Sequence, residues 1–167
     1  MRLTAMTDYA LRLLMHVAQH PQRLCTIAEV ARAYAISEAH LMKVTHRLAL
    51  GGWLETVRGK GGGMRLARAP QDIHLGAVVR SMEPDFALVE CLVTPAEGAA
   101  GTCAGQGAAP SGCRLDGCCA LSGVIAGALQ SFMHHLDGHT LADVLPGAPR
   151  PLALPRPRQA APAAFQD

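Results

Sequence analysis

Cysteines are the residues of this 167-residue chain that could do chemistry, and five of the six lie between Cys91 and Cys119. The sequence begins with no apolar leader typical of a secretory signal, and no apolar run approaches the ~18 residues of a membrane span. We therefore expect a cytoplasmic protein, in which thiols stay reduced. In that compartment a cysteine-rich segment indicates metal or redox chemistry rather than structural disulfides.

The spacing of these cysteines leaves the kind of site open. Four nearby thiols could hold a structural Zn²⁺ ion. Only Cys113 and Cys118, with four residues between them, have a spacing common in zinc sites. A zinc site that senses nothing is therefore the alternative to a reactive iron or redox centre.

A long amphipathic helix is predicted directly after the last cysteine. Its apolar residues recur on a 3.6-residue period and form one stripe, which needs a partner. A second copy of the chain would supply that partner, so the cysteines lie where a loop enters an expected dimer helix. The stripe consists of Leu121, Val124, Ile125, Ala128, Leu129, Phe132, Met133 and Leu136.

Charge is distributed unevenly along the chain. Residues 1–70 carry ten Lys/Arg and four Asp/Glu, a net charge of +6, whereas residues 71–167 carry a net charge of −4. A basic front half favours a polyanionic partner, nucleic acid first of all. A solvated charged surface would have the same composition, so charge alone does not decide.

Three short helices are predicted in the basic half, over 4–19, 27–33 and from the cap at Ser37 to the glycines at 51–52. Thr26 and Glu29 form the capping box of the second helix. The short connection at 34–36 predicts a helix–turn–helix, with an ordinary helical hairpin as the alternative. The third helix would enter the major groove and present Ser37, His40, Lys43, Thr45 and Arg47.

A glycine-rich basic hairpin follows the third helix. β-prone stretches at 53–57 and 64–67 flank a tip that carries Arg58 and Lys60, and Arg65 lies in the second strand. Glycine permits close approach to a phosphate backbone, and a narrow groove attracts arginine. Helix–turn–helix plus basic hairpin predicts a winged helix. No nucleophile–base arrangement can be assembled from the sequence, so we do not expect an enzyme.

The expected fold class is mainly α, a winged helix–turn–helix DNA-binding domain with a long C-terminal dimerisation helix. A fourth helix, with apolar residues from Leu75 to Met82, ends at Glu83-Pro84. We expect the DNA-binding domain over 1–83, a cysteine loop over 84–120 and the dimerisation helix over 121–145. The Pro/Ala-rich tail over 146–167 is expected to be disordered.

Several separate motifs resemble one family. They are Thr4-Ala-Met-Thr-Asp-Tyr-Ala-Leu-Arg12, Val57-Arg-Gly-Lys-Gly-Gly-Gly-Met-Arg-Leu66, Val78-Val-Arg-Ser-Met-Glu-Pro84, Leu88-Val-Glu-Cys91, Ala128-Leu-Gln-Ser-Phe132 and Thr140-Leu-Ala-Asp143. Over about residues 1–145 the sequence resembles the nitric-oxide-responsive repressors of the Rrf-type winged-helix family. The resemblance implies a homodimeric repressor that binds a palindromic operator, senses nitric oxide through an iron–sulfur cluster and controls nitric oxide detoxification genes. An iron or iron–sulfur-status regulator of the same family is the alternative.

The resemblance also implies the cluster ligands. Matching the family's motifs assigns Cys91, Cys113 and Cys119, with Asp8 reaching across the dimer as the fourth ligand. The alternative for Asp8 is electrostatic stabilisation of its helix start. The sequence departs from the family in having 21 residues between Cys91 and Cys113. It also has two extra cysteines, Cys103 and Cys118. Cys118 could be the third cysteine ligand in place of Cys119. The ligand set allows [2Fe–2S] or [4Fe–4S]. Cys25 is expected to be a small buried apolar residue.

Overall fold

The helices and strands largely confirm the sequence-based expectations. The computed structural model describes residues 2–89 and 119–147. Its helices are α1 (Ala5–Ala18), α2 (Ile27–Tyr34), α3 (Glu38–Leu50), α4 (Leu75–Met82) and α5 (Ala120–Asp137), and its strands are β1 (Leu54–Val57) and β2 (Gly63–Leu66). Short 3-10 turns span Pro70–Asp72 and Ala142–Val144. None of the described helices combines the length and apolar character needed to cross a membrane.

One apolar core joins the helices to the hairpin. The inner face of α1 contributes its fully buried side chains at the expected period, because residues three and four apart share a helix face. Met6, on the same face of α1, is only partly buried against the core. The core is made of buried side chains from α1, α2, α3, the hairpin, α4 and the segment after α5: Ala10, Leu13, Leu14, Val30, Leu41, Val44, Leu48, Leu54, Met64, Val78, Met82 and Leu141.

The helix–turn–helix is built by local capping. Thr26 and Glu29 make both hydrogen bonds of the predicted capping box at the start of α2. Ala35 ends α2 in the left-handed conformation with φ of 53°, and the Ile36 amide donates to the carbonyl of Ala31 at 3.1 Å. Ser37 then caps α3 by accepting from the His40 amide. The turn is therefore fixed between two capped helices.

Thr45 is a correction to the sequence-based assignment. It was expected on the exposed face of the third helix, but only 7% of it is exposed. Its hydroxyl points toward the sulfur of Met64 in β2, at 3.8 Å. Because the apolar face of α3 is wide enough to include this position, Thr45 supports the core and is not available to DNA.

The hairpin forms the predicted wing. Strands β1 and β2 pair antiparallel, with Val57 opposite Gly63, so residues 58–62 form its tip. Gly59 and Gly61 have φ of +98° and +78°, which L side chains rarely adopt. At Gly62 a Cβ would overlap the carbonyl oxygen of Val57. These three glycines keep the basic tip narrow.

The end of α5 is fastened to α4. The Leu141 amide donates to the carbonyl of Ile73 at 2.8 Å, and the Leu75 amide donates to the carbonyl of His139 at 2.9 Å. Arg80 makes two hydrogen bonds, of 2.6 and 2.5 Å, to the carboxylate of Asp137. Because of these contacts, a movement of α5 would also displace α4.

The apolar stripe of α5 has a more divided role than the sequence predicted. Met133 is buried, and Ile125, Leu129 and Phe132 are half-buried, on the side that faces α4 and residues 84–89 of the same chain. Part of the stripe therefore has a partner within its own chain. Leu121 and Val124 remain 62% and 68% exposed. Any seam with a second copy is centred on these exposed residues.

Glu83 stabilises the start of α1, a role that the sequence analysis missed. Its Oε1 atom accepts hydrogen bonds from the Thr4 amide at 2.8 Å, from the Thr4 hydroxyl at 3.2 Å and from the Thr7 hydroxyl. A carboxylate at this position also interacts favourably with the positive end of the helix. The contact joins residues 79 apart in sequence, so no local pattern could indicate it.

Replacing Glu83 by Ala should lower the free energy of unfolding by about 1–2 kcal/mol, because it removes a charged acceptor from a helix N-terminus. Chemical denaturation of the two proteins measures the difference. Asp72→Ala, which removes an exposed carboxylate elsewhere, is the control and should have a smaller effect. Equal unfolding free energies for Glu83→Ala and the unmodified chain would contradict this role.

Candidate nucleic-acid interface and metal centre

Three predicted contact residues lie on one exposed face of α3. His40, Lys43 and Arg47 follow one another at intervals of three and four residues, and all are exposed. Ser37, at the cap, is also exposed and is hydrogen bonded to Nδ1 of His40 at 2.9 Å. The face offers a hydroxyl, an imidazole and two cations, which suit phosphates and base edges.

Two of the predicted cations also have partners within the chain. Arg47 donates through Nη1 to the carbonyl of Met82 at 3.2 Å, at the end of α4. Arg65 is paired with Glu55 across the hairpin at 2.7 Å. Arg47 therefore joins the exposed face to α4, and part of the charge of Arg65 is offset locally.

Arg58 and Lys60 stand at the tip of the wing. Both are exposed, and neither forms an ion pair within residues 2–89 and 119–147. Their charges are therefore uncompensated at short range, and the glycines of the tip allow close approach to a polyanion. These two side chains are the strongest candidates for contacts with a phosphate backbone.

Replacing Lys60 by Ala should weaken binding to every duplex by a similar factor. Loss of one phosphate contact should reduce the slope of log affinity against log salt concentration by about 1. Fluorescence anisotropy with a selected duplex and a random duplex, over a range of salt, measures both quantities. Thr56→Ala, an exposed neutral change on the same hairpin, should leave them unchanged. If Lys60→Ala retains full affinity and salt dependence, the wing does not contact DNA as assigned.

Of the cysteines, the structure places Cys25 and Cys119. Cys91, Cys103, Cys113 and Cys118 lie outside the described residues, as do the predicted inserted loop and most of the tail. Cys119 is the N-cap residue of α5 and is half-buried, whereas Cys25 is fully buried in the core. Burial raises the pKa of the Cys25 thiol.

Asp8 lies in the first turn of α1 and is accessible. Its carboxylate pairs with Arg12 at 3.0 Å, and its side chain is 47% exposed. Such an exposed pair is weakened by solvent, so little opposes a change of partner. Glu83 also contacts the N-terminus of α1, so both carboxylates are placed to interact with the positive end of this helix.

Three segments that carry predicted ligands line one groove of about 550 Å³. Leu3 and Thr4 lead into α1 and Asp8, while Val89 is two residues before Cys91. The third wall is α5, which begins immediately after Cys119 and contributes Ile125 and Phe132. The fold therefore brings the segment before Cys91 close to α5 within one chain, whereas the Asp8 expected at the cluster would come from a second copy.

The fold and the exposed basic face define a winged-helix DNA-binding transcriptional regulator. A family model described as "Iron-dependent Transcriptional regulator", the Rrf2 family, matches residues 3–147. The chain belongs to the Rrf2 family.

Relatives and solved structures agree with this assignment. The chain is 40% identical to the HTH-type transcriptional regulator NsrR of Bacillus subtilis over 146 residues, covering 87% of this chain and 90% of that protein. It is 37% identical to Protein aau3 of Rhizobium meliloti, covering 90% of this chain and 88% of that protein.

At the level of fold, it is similar to CymR, the global cysteine regulator of B. subtilis, with a TM-score of 0.63, 20% identity and coverage of 86% and 95% of the two chains. It is also similar to T. potens IscR, with a TM-score of 0.62, 23% identity and coverage of 86% and 85%.

Proposed function

We propose that this protein is a cytoplasmic, homodimeric repressor that binds a palindromic operator and senses nitric oxide through an iron–sulfur cluster. Its target genes would serve nitric oxide detoxification. The identity to NsrR regulators over most of the chain, together with the matching motifs around Asp8 and Cys91, is the observation that carries the proposal.

In this proposal α3 and the wing contact different parts of the DNA. Ser37, His40 and Lys43 contact base edges in the major groove, and Arg47 contacts the backbone beside them. Arg58, Lys60 and Arg65 act on the backbone and the minor groove. Two copies related by twofold symmetry place their α3 helices in adjacent half-sites of a palindrome.

The described donors fit an iron–sulfur cluster. Cys119 is partly accessible at the start of α5, and Asp8 is an exposed carboxylate in a weak ion pair. Cys91, Cys113 and Cys119 would supply three thiolates, and Asp8 from the second copy would supply an oxygen. Carboxylate is a harder ligand than thiolate, so its iron position is the more labile one. When bound, the cluster supplies iron that reacts with nitric oxide.

The contacts of the fold offer a route from Cys119 to the DNA-binding face. Cys119 caps α5, whose far end is held to α4 by the Arg80–Asp137 pair. The end of α4 in turn accepts a hydrogen bond from Arg47 of α3. Release of Cys119 and Asp8 would change how α5 and α1 are held. A local change in coordination would then alter the spacing of the two reading helices.

Anaerobic purification tests the presence of the cluster. We expect a brown protein whose iron and acid-labile sulfide are present in equal amounts, as in both [2Fe–2S] and [4Fe–4S] clusters. The absorbance spectrum and the number of iron atoms per chain then distinguish the two. A colourless protein that contains no sulfide and binds zinc through Cys91, Cys113 or Cys119 would overturn the proposal in favour of a structural zinc site.

A further inference from the structure

A second group of metal-binding side chains lies away from the proposed cluster. His16 and His20 are one turn apart at the end of α1, and Cys25 follows in the connection to α2. One ligand atom from each of the three lies within 4.8 Å of the others. Tetrahedral zinc with bonds of about 2.0–2.3 Å holds its ligand atoms roughly 3.5 Å apart, so small side-chain rotations would close the site.

His16 has an unsatisfied nitrogen at this position. Its Nε2 atom is buried and has no hydrogen-bond partner among the described residues. A buried polar atom without a partner costs about 1–3 kcal/mol and calls for an explanation, such as an ion. Burial lowers the pKa of His16, and the nearby His20 acts in the same direction.

His20 is held in the orientation of a ligand. Its Nδ1 donates to the carbonyl oxygen of His16 at 2.9 Å, which leaves Nε2 as the acceptor nitrogen. Metal-binding histidines commonly donate their other ring nitrogen to a backbone carbonyl in this way. The two rings lie with centroids 4.8 Å apart, and the ring of Tyr34 packs edge-on against His16 at 5.9 Å.

Cys25 supplies a soft third donor on a rigid support. Its amide donates to the carbonyl of Met64 at 2.9 Å, and its carbonyl accepts from the Met64 amide at 2.8 Å. A side chain at Gly63 would crowd this carbonyl, because its Cβ would lie 2.6 Å from the oxygen. The cysteine is therefore part of the base of the wing. The charges of Arg23 and Glu29 act on the thiol of Cys25 and on the ring of His16.

We propose that His16, His20 and Cys25 bind a zinc-class divalent ion, separate from the iron–sulfur cluster. Two imidazoles and one thiolate form a ligand set that Zn²⁺ favours, and water would complete the tetrahedron. The ion displaces the thiol proton of Cys25, so its affinity rises with pH. By joining the end of α1 to the residue that pairs with β2, the ion stabilises the base of the wing.

Cobalt and zinc titrations of the full-length chain under anaerobic conditions test the site. Wild type should bind Co²⁺ with a thiolate-to-cobalt absorbance band in the near ultraviolet, and Zn²⁺ should raise its Tm. His20→Gln should weaken binding at this site by at least about tenfold and remove this site's share of the Tm increase, because a lost ligand costs more than a lost outer-shell partner. Cys25→Ser should lose this site's share of the absorbance band.

His139→Gln is the matched control. His135 and His139 form another pair one turn apart, with the same type of hydrogen bond from Nδ1 to the carbonyl four residues earlier, at 2.8 Å. His139→Gln should behave as wild type. Each measurement compares a variant with wild type. Metal bound by other cysteines contributes equally to both proteins and does not affect the difference. If His20→Gln and Cys25→Ser, both folded by circular dichroism, bind as much Co²⁺ and gain as much Tm as wild type, the proposal is wrong.

Discussion

Replacing Cys119 by Ser is expected to abolish the iron–sulfur cluster. Serine oxygen is a poor substitute for thiolate, and Cys119 is the proposed ligand at the N-cap of α5. The anaerobically purified variant should lack visible absorbance, iron and sulfide. Cys103→Ser is the matched control and should retain all three. If Cys119→Ser is brown and Cys118→Ser is colourless, the ligand is one residue earlier. If variants of Cys91, Cys113 and Cys119 all stay brown, the assignment fails.

Asp8→Ala should have a different effect from the cysteine variants. The three thiolates should retain much of the cluster, while the absorbance spectrum and the response to nitric oxide change. Arg12→Ala is the control, since it removes the same ion pair and leaves the carboxylate in place. If both variants behave alike, Asp8 acts only through its surface pair and is not a ligand.

Val124→Asp is expected to dissociate the dimer. Val124 is 68% exposed in the single chain, so a charge there stays hydrated unless a second copy covers it. Burial of an uncompensated charge costs about 3 kcal/mol or more, which corresponds to roughly 100-fold weaker association. Operator affinity should fall together with the dimer association, because separate monomers would bind the two half-sites independently.

Sedimentation equilibrium measures the association, and Gln130→Asp is the control on the same helix. Gln130 is also exposed, but it lies about a third of a turn from the face of Val124. We expect Gln130→Asp to remain dimeric. A dimeric Val124→Asp variant with normal operator binding would show that this face of α5 is not the seam.

Local sequence patterns were sufficient to predict the elements. The capping box at Thr26, the cap at Ser37 and the glycines between β1 and β2 act over a few residues, so their outcome is visible in the sequence. The exposed face of α3 was also predicted, apart from Thr45. The burial of Thr45 depends on its tertiary contact with Met64, and the spacing of apolar residues in α3 does not predict that contact.

Long-range contacts escaped prediction. Glu83 binds the start of α1, and Asp137 binds Arg80 from 57 residues away. The stripe of α5 was recognised, but which part of it faces α4 depends on tertiary packing. His16 and His20 did offer a signal in their four-residue spacing ahead of Cys25, yet only the fold shows that the three side chains meet.

Operator binding by the cluster-loaded protein, measured without oxygen before and after addition of nitric oxide, tests the central claim most directly. The duplex would be one selected by the protein from a random pool. We predict that nitric oxide lowers the affinity by roughly 5- to 150-fold, the usual range of coupling between sites. The Cys119→Ser variant should bind weakly and not respond. Unchanged operator affinity after the absorbance spectrum shows that nitric oxide has reacted with the cluster would contradict the account.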